Sequence, residues 1–173
     1  MKNGVKGPIS VLIRKAELRD LPELLAIYNY EVVNGVSTLD LNEKTLAEWR
    51  VWFDCHNVEN HPLIVAERKG RVAGYASLSS YREKEAYSST VELSIYVSPD
   101  FRHLGIATEL MAQILEEARK DARTHTVVSV ITSGNEASRK LHEKFGFEFC
   151  GTIKEVGVKF GVYQDIENYR LGV

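Results

Sequence analysis

At 173 residues, with 44% hydrophobic and 27% charged side chains, the chain suits one soluble globular domain with a proper core. A net charge of −2 provides no basic footprint for nucleic acid or an anionic membrane surface. No apolar run approaches a bilayer span, no signal-peptide core opens the chain, and Cys55 and Cys150 lie too far apart for a Cys-x-x-Cys motif. The expectation is a cytoplasmic protein with free, non-catalytic thiols.

Residues 1–8 read as a flexible leader and 9–173 as a single domain, since no repeat, low-complexity tract or linker divides the chain. Ile9 to Arg14 is the first expected strand. A helix should start at about Asp20, with Pro22 in its first turn, Glu23 at the capping-box position and Asn34-Gly35 at its end. A second helix from about Asn42 carries Leu46, Trp49, Val51 and Phe53. Its tryptophans, Trp49 and Trp52, read as packing residues, with part of a substrate wall as the alternative. Leu63 to Glu67 and Val72 to Leu78 form a hairpin through Arg68-Lys69-Gly70-Arg71.

In the next strand, Thr90 to Val97, the apolar Val91, Leu93, Ile95 and Val97 alternate with Glu92, Ser94 and Tyr96. One face can bury while Glu92 meets a different environment. The strand leads through a turn into Arg102-His103-Leu104-Gly105-Ile106-Ala107-Thr108, the opening of an amphipathic helix. A loop of this kind turns several backbone N–H groups toward one point, a site for the phosphates of a nucleotide-like cofactor. Small residues at Gly105 and Ala107 allow close approach, and Arg102 adds charge at the rim. The plain alternative is an ordinary capped helix entry. Val127 to Ile131 is a near-continuous apolar strand for a sheet centre. Ser133 or Asn135 then caps a helix bearing Ala137, Leu141 and Phe145, stopped by Gly146. Phe147 to Ile153 and Val162 to Leu171 complete a mixed α/β single domain.

The loop after its strand resembles the acetyl-coenzyme A loop of the Gcn5-related N-acetyltransferase (GNAT) family, Arg/Gln-x-x-Gly-x-Gly/Ala. Three further stretches resemble the phosphinothricin and methionine sulfoximine acetyltransferase branch. They are Ala86-Tyr87-x-x-Thr90-Val91-Glu92-x-Ser94-Ile95-Tyr96-Val97, Asn135-x-x-Ser138-x-x-Leu141-His142-Glu143-x-x-Gly146-Phe147, and Gly157-x-Lys159-x-Gly161-x-Tyr163-x-Asp165. The resemblance covers roughly Ile9 to Leu171. It implies an α+β fold with a mostly antiparallel central sheet flanked by helices, acetyl-CoA as donor, and a homodimer. The implied acceptor is the α-amine of a small amino-acid-like compound, attacked directly in a ternary complex. Alternatives are a protein N-terminus, a polyamine, or an acyl-CoA sensor without turnover. The branch often has Arg where Lys84 stands and commonly His where Gln164 stands; both departures bear on the acceptor more than on acetyl transfer.

Glu92 is the first candidate base, because a free α-amine is mostly protonated at neutral pH. It matches the branch's catalytic carboxylate; a structural hydrogen bond or a contact to the substrate ammonium is its other reading. His142 is the second candidate, with helix-to-sheet packing as its alternative. Tyr87 and Tyr163 can donate to an oxyanion or a departing sulfur. The resemblance implies a splayed strand at Ile95, Tyr96 and Val97, whose free amides would hold the thioester carbonyl and the pantetheine arm. It also implies cofactor contacts at Asn135 and Ser138. Arg82 and Lys84, before Tyr87, could hold an acceptor carboxylate or stand as solvated loop charges. His56, His61, His103 and His125 have no metal-ligand spacing, and no metal is expected.

Overall fold

The computed structural model describes residues 11–173. The expected leader and the start of the first strand at Ile9 lie outside that range. Seven strands form one sheet in the order β1-β2-β3-β4-β5-β7-β6. They are β1 (Leu12–Lys15), β2 (Leu63–Arg68), β3 (Arg71–Ser80), β4 (Thr90–Val97), β5 (Thr126–Thr132), β6 (Glu148–Lys159) and β7 (Val162–Gly172). Every pairing is antiparallel except β4 with β5. Helices α1 (Leu21–Asn34) and α2 (Leu46–Asp54) cover one face; α3 (Ile106–Lys120) and α4 (Glu136–Lys144) lie on the other.

Strand alternation divides the core into two. Val91 and Leu93 of β4 pack with Leu110, Met111, Ile114 and Leu115 of α3. Tyr75 of β3 and Tyr96 of β4 pack with Leu24 of α1 and Trp49 of α2. Each fully buried aliphatic side chain contributes about 1.5–3 kcal/mol, so α3 anchors the sheet beneath the loop that precedes it.

Helix α1 begins after Asp20 as expected, but its capping differs, and the start of α2 differs in position. Asp20 does not cap α1 through a box with Glu23. Arg14 donates two hydrogen bonds to its carboxylate at 2.7 and 2.8 Å, and the Glu17 N–H a third at 2.8 Å. Glu23 accepts instead from the Val72 N–H at 3.1 Å. Helix α2 begins at Leu46 rather than near Asn42, because Thr45 and Glu48 form the reciprocal capping box. The β2–β3 turn, by contrast, has Lys69 and Gly70 both at positive φ, the combination a two-residue hairpin requires.

The parallel β4–β5 ladder is short: Thr90, Val91 and Glu92 pair with Thr126, Val127 and Val128, and pairing then stops. Strand β5 continues alongside β7 as far as Thr132, and β4 alongside β3 as far as Val97. The sheet is therefore split from Leu93 onward.

Candidate active site

The split leaves peptide groups free. Ser98 N–H donates to Ala73 C=O at 2.9 Å, so by antiparallel alternation Tyr96, Ser94 and Glu92 also bond toward β3. Ile95 and Val97 then turn their N–H and C=O groups to the side that β5 has left. Just beyond, the N–H groups of His103, Leu104, Gly105, Ile106 and Ala107 donate to no protein acceptor among the described residues. Gly105 occupies the N-cap of α3 with φ +79°, and His103 is also at positive φ. Consecutive amides in this conformation at a helix N-terminus make a concave anion site.

These groups border a cleft of about 440 Å³ on the α3–α4 side. Ile95, Tyr96, Val97, Arg102, His103, Ala107, Asn135 and Ser138, the expected cofactor contacts, line it together with His142, the second candidate base. Leu104, Gly105, Ile106 and Thr108 shape the loop without lining the cleft: Ile106 is buried in the core, and Thr108 N–H returns to Gly105 C=O at 3.0 Å. Asn135 caps α4 by accepting from the Ser138 N–H at 3.2 Å. Arg102 does not stand free at the rim; it pairs with Glu31 of α1 and lies over the Tyr30 ring at 5.4 Å.

His142 differs from the expectation of a base. It is buried, and its Nδ1 lies 2.7 Å from the Ser138 carbonyl, which can only accept. Nδ1 therefore carries the proton, and Nε2 accepts from the Ser129 hydroxyl at 2.7 Å. Burial pushes its pKa below the ordinary value. No ring nitrogen is left for a substrate amine.

A second cavity, of about 660 Å³, opens on the α1–α2 side. Its aromatic wall runs from Tyr28 to Trp49 (centroids 4.3 Å apart) and on to Trp52 (4.4 Å), with Tyr75 and Tyr96 across from it. Glu92 lines this cavity, has no hydrogen-bond or ion-pair partner among the described residues, and is pushed toward a higher pKa by burial. Asp40 accepts from Tyr28 at 2.6 Å and pairs with Lys44 at 3.0 Å. Ser37, Leu93, Ser94, Tyr96, Val130 and Thr132 line both cavities, so the two meet at the split.

The cluster of Arg82, Lys84 and Tyr87 is not part of either lining. Arg82 stacks over Tyr81 at 5.0 Å and Tyr87 at 5.8 Å in the β3–β4 loop. Tyr163 is exposed near the tip of the β6–β7 hairpin. The residues that sequence reading missed are Tyr28, Asp40, Lys44, Glu48 and Tyr75, which come from three separate elements and the loop between α1 and α2. No three His, Cys, Asp or Glu side chains gather to hold a metal among the described residues. No described helix is long and apolar enough to cross a membrane.

A groove bordered by free amides at a helix N-terminus on one face of a split sheet, and a cavity holding an unpaired carboxylate on the other, is an arrangement suited to a group-transfer enzyme. The comparisons give the family. The acetyltransferase (GNAT) family model matches residues 24–147. An L-methionine sulfoximine/L-methionine sulfone acetyltransferase of Pseudomonas paraeruginosa is 39% identical over 166 residues, covering 95% of this chain and 96% of that one. The crystal structure of a ribosomal-protein-alanine N-acetyltransferase from Brucella melitensis superposes with TM-score 0.90 at 41% identity, covering 94% and 99%. A GNAT superfamily phosphinothricin acetyltransferase from Sinorhizobium meliloti, solved in complex with AcCoA, gives 0.87 at 31%, covering 94% and 88%. The chain belongs to the GNAT family of acetyltransferases and is an acyltransferase whose acetyl donor is acetyl-CoA.

Proposed function

We propose that the chain acetylates the α-amine of a small amino-acid-like acceptor of the methionine sulfone, methionine sulfoximine or phosphinothricin type, by direct attack in a ternary complex. The observation that carries this reading is the meeting of the two cavities along Leu93, Ser94 and Tyr96, with Glu92 on the acceptor side. The Pseudomonas relative's name supports the acceptor class. The Brucella structure keeps a protein N-terminus as the second reading.

The donor groove fits an acyl-coenzyme A. The amides of residues 103–107 would receive its diphosphate, and the free β4 edge at Ile95 and Val97 its amide-bearing arm. When bound, acetyl-CoA supplies the acetyl group as a thioester. Glu92, kept basic by burial, takes the ammonium proton directly or through water, giving a neutral nitrogen to form the C–N bond as the C–S bond breaks. N–H groups of Ile95 and Val97 donate to the carbonyl oxygen as it gains charge. Tyr96 lines both cavities and burial keeps its hydroxyl protonated, which places it better than Tyr87 to donate toward the departing sulfur. His142 is a positioning residue that fixes Ser129 against α4.

We further read the chain as a homodimer. Edge strand β6 and its hairpin expose Phe149, Ile153, Val158, Phe160, Val162 and Tyr163, apolar side chains that a second copy would cover. The site is tested by Glu92→Gln. The expected outcome is a fall in kcat of roughly 10²- to 10⁴-fold, with acetyl-CoA binding retained. Unchanged turnover removes Glu92 from the chemistry.

A further inference from the structure

The stretch Gly157-x-Lys159-x-Gly161-x-Tyr163-x-Asp165 carries a charge that the proposed chemistry leaves unused. Lys159, 2% exposed, is the most buried charged residue among those described. Burying an ammonium is costly and is tolerated where hydrogen bonds replace its water. Its Nζ donates to Thr38 C=O at 2.8 Å and to Glu31 C=O at 3.3 Å. Glu31 C=O also receives the Gly35 N–H at 3.0 Å, so it does not depend on the lysine. Thr38 C=O has no other donor among the described residues. The hold therefore falls on Thr38.

Thr38 belongs to the segment between α1 and α2, and Ser37, Thr38, Leu39 and Asp40 line the cavity that holds Glu92. Residues 36–44 make no backbone-to-backbone hydrogen bond among the described residues, so side chains fix their course. Thr132 of β5 donates to Val36 C=O at 2.6 Å. Tyr28 of α1 donates to Asp40 at 2.6 Å and accepts from the Thr38 hydroxyl at 2.9 Å. Lys159 adds the hold from the β6–β7 hairpin. That hairpin also packs on the segment: a β-carbon at Gly157 would come within 3.1 Å of Leu39 Cδ1. A segment without its own backbone ladder is only as well placed as the groups that hold it, and a displaced wall weakens binding of whatever it contacts.

We propose that Lys159 is a positioning residue for the acceptor, its ammonium fixing Thr38 and through it the cavity wall formed by residues 37–40. The inference rests on reading that cavity as the acceptor site. Of residues 36–44 only Ser37 lines the donor groove, so loosening the segment reaches the acceptor before the donor.

The test is steady-state kinetics of wild type, Lys159→Met and Gly157→Ala, with methionine sulfone and phosphinothricin as acceptors, varying acceptor and acetyl-CoA in turn. Methionine keeps an unbranched stem and removes the donors. Lys159→Met is expected to raise the acceptor KM about tenfold, the scale of one hydrogen bond, with kcat and the KM for acetyl-CoA unchanged. Gly157→Ala, a smaller push on Leu39, is expected to raise the acceptor KM by less, and it decides by the same split should Lys159→Met fail to fold. A purely structural lysine would instead lower the active fraction, reducing apparent kcat and leaving both KM values in place. That result, or a rise confined to the KM for acetyl-CoA, overturns the positioning role while leaving acetyl transfer standing. Silence of the wild type toward both acceptors overturns the acceptor reading and the positioning role with it.

Discussion

Gly105 shows how a single backbone angle shapes the proposed donor site. Its φ of +79° lies where a residue with a β-carbon is strained, and nothing approaches within 4 Å of the position a β-carbon would take. The requirement for glycine is therefore conformational rather than steric. Gly105→Val is expected to cost roughly 1–2 kcal/mol of stability and to turn the amides of residues 103–107 out of register, raising the KM for acetyl-CoA well before it lowers kcat. Steady-state titration of the donor checks this, and an unchanged KM would contradict the loop's role. Ala107 differs, since it lines the cleft directly. Glu92 was legible in sequence because polar–apolar alternation along β4 sets it opposite Val91 and Leu93. Tyr75 was not, because strand spacing shows only that it is buried, and Trp49 reads as packing or as part of a substrate wall. Chain proximity misled in the other direction. Arg82, Lys84 and Tyr87 lie a few residues from Glu92, yet all three fall outside both cavities, with Arg82 and Tyr87 packed on Tyr81 in the β3–β4 loop.

Elements were legible where local chemistry decides them. The bounds of β4 follow from its alternation, and Gly146 stops α4 at φ +84°. The start of α1 at Asp20 was legible too, although its side-chain cap was not, because Arg14, from another element, occupies the Asp20 carboxylate. Two histidines tie helices to the sheet by the same arrangement. His142 joins α4 to Ser129 of β5. His56, just after α2, gives Nδ1–H to Trp52 C=O at 2.7 Å and accepts at Nε2 from Ser79 of β3 at 2.8 Å. Burial lowers both pKa values below 6.5. A histidine whose folded value is depressed leaves stability intact above its unfolded value, and stability is lost as pH falls from there through the folded value. Melting temperature is expected to be level above about pH 7 and to drop as pH falls below 6.5, with His56→Gln and His142→Gln each flattening the slope. A slope unchanged in both variants would show that other groups control it.

At the scale of the molecule, the short parallel contact of β4 with β5 is the feature from which the rest follows. Three residue pairs hold the strands together and then release them, opening two cavities of about 440 and 660 Å³ that share a wall, the proposed donor groove and the proposed acceptor cavity. The order of strands and helices made this fold readable from the sequence, whereas the depth of the split depends on β5 following β7 instead of β4. The β6–β7 hairpin reaches back to the site: Lys159 Nζ donates to the carbonyls of Thr38 at 2.8 Å and Glu31 at 3.3 Å, beside the segment that lines both cavities. Its exposed apolar surface is expected to pair two copies. Sedimentation should give about twice the 19.6 kDa of one chain, falling to a single chain in an Ile153→Glu, Val158→Glu double variant. A wild-type monomer would contradict that assembly.

The most direct test of the central claim is release of free thiol from acetyl-CoA by the wild-type protein against a panel of amines: methionine sulfone, methionine sulfoximine, phosphinothricin, spermidine and short peptides. The expected result is turnover confined to the amino-acid analogues. Turnover with spermidine or peptides alone would contradict the acceptor assignment, and silence across the panel would contradict the assignment of the second cavity as an amino-acid site.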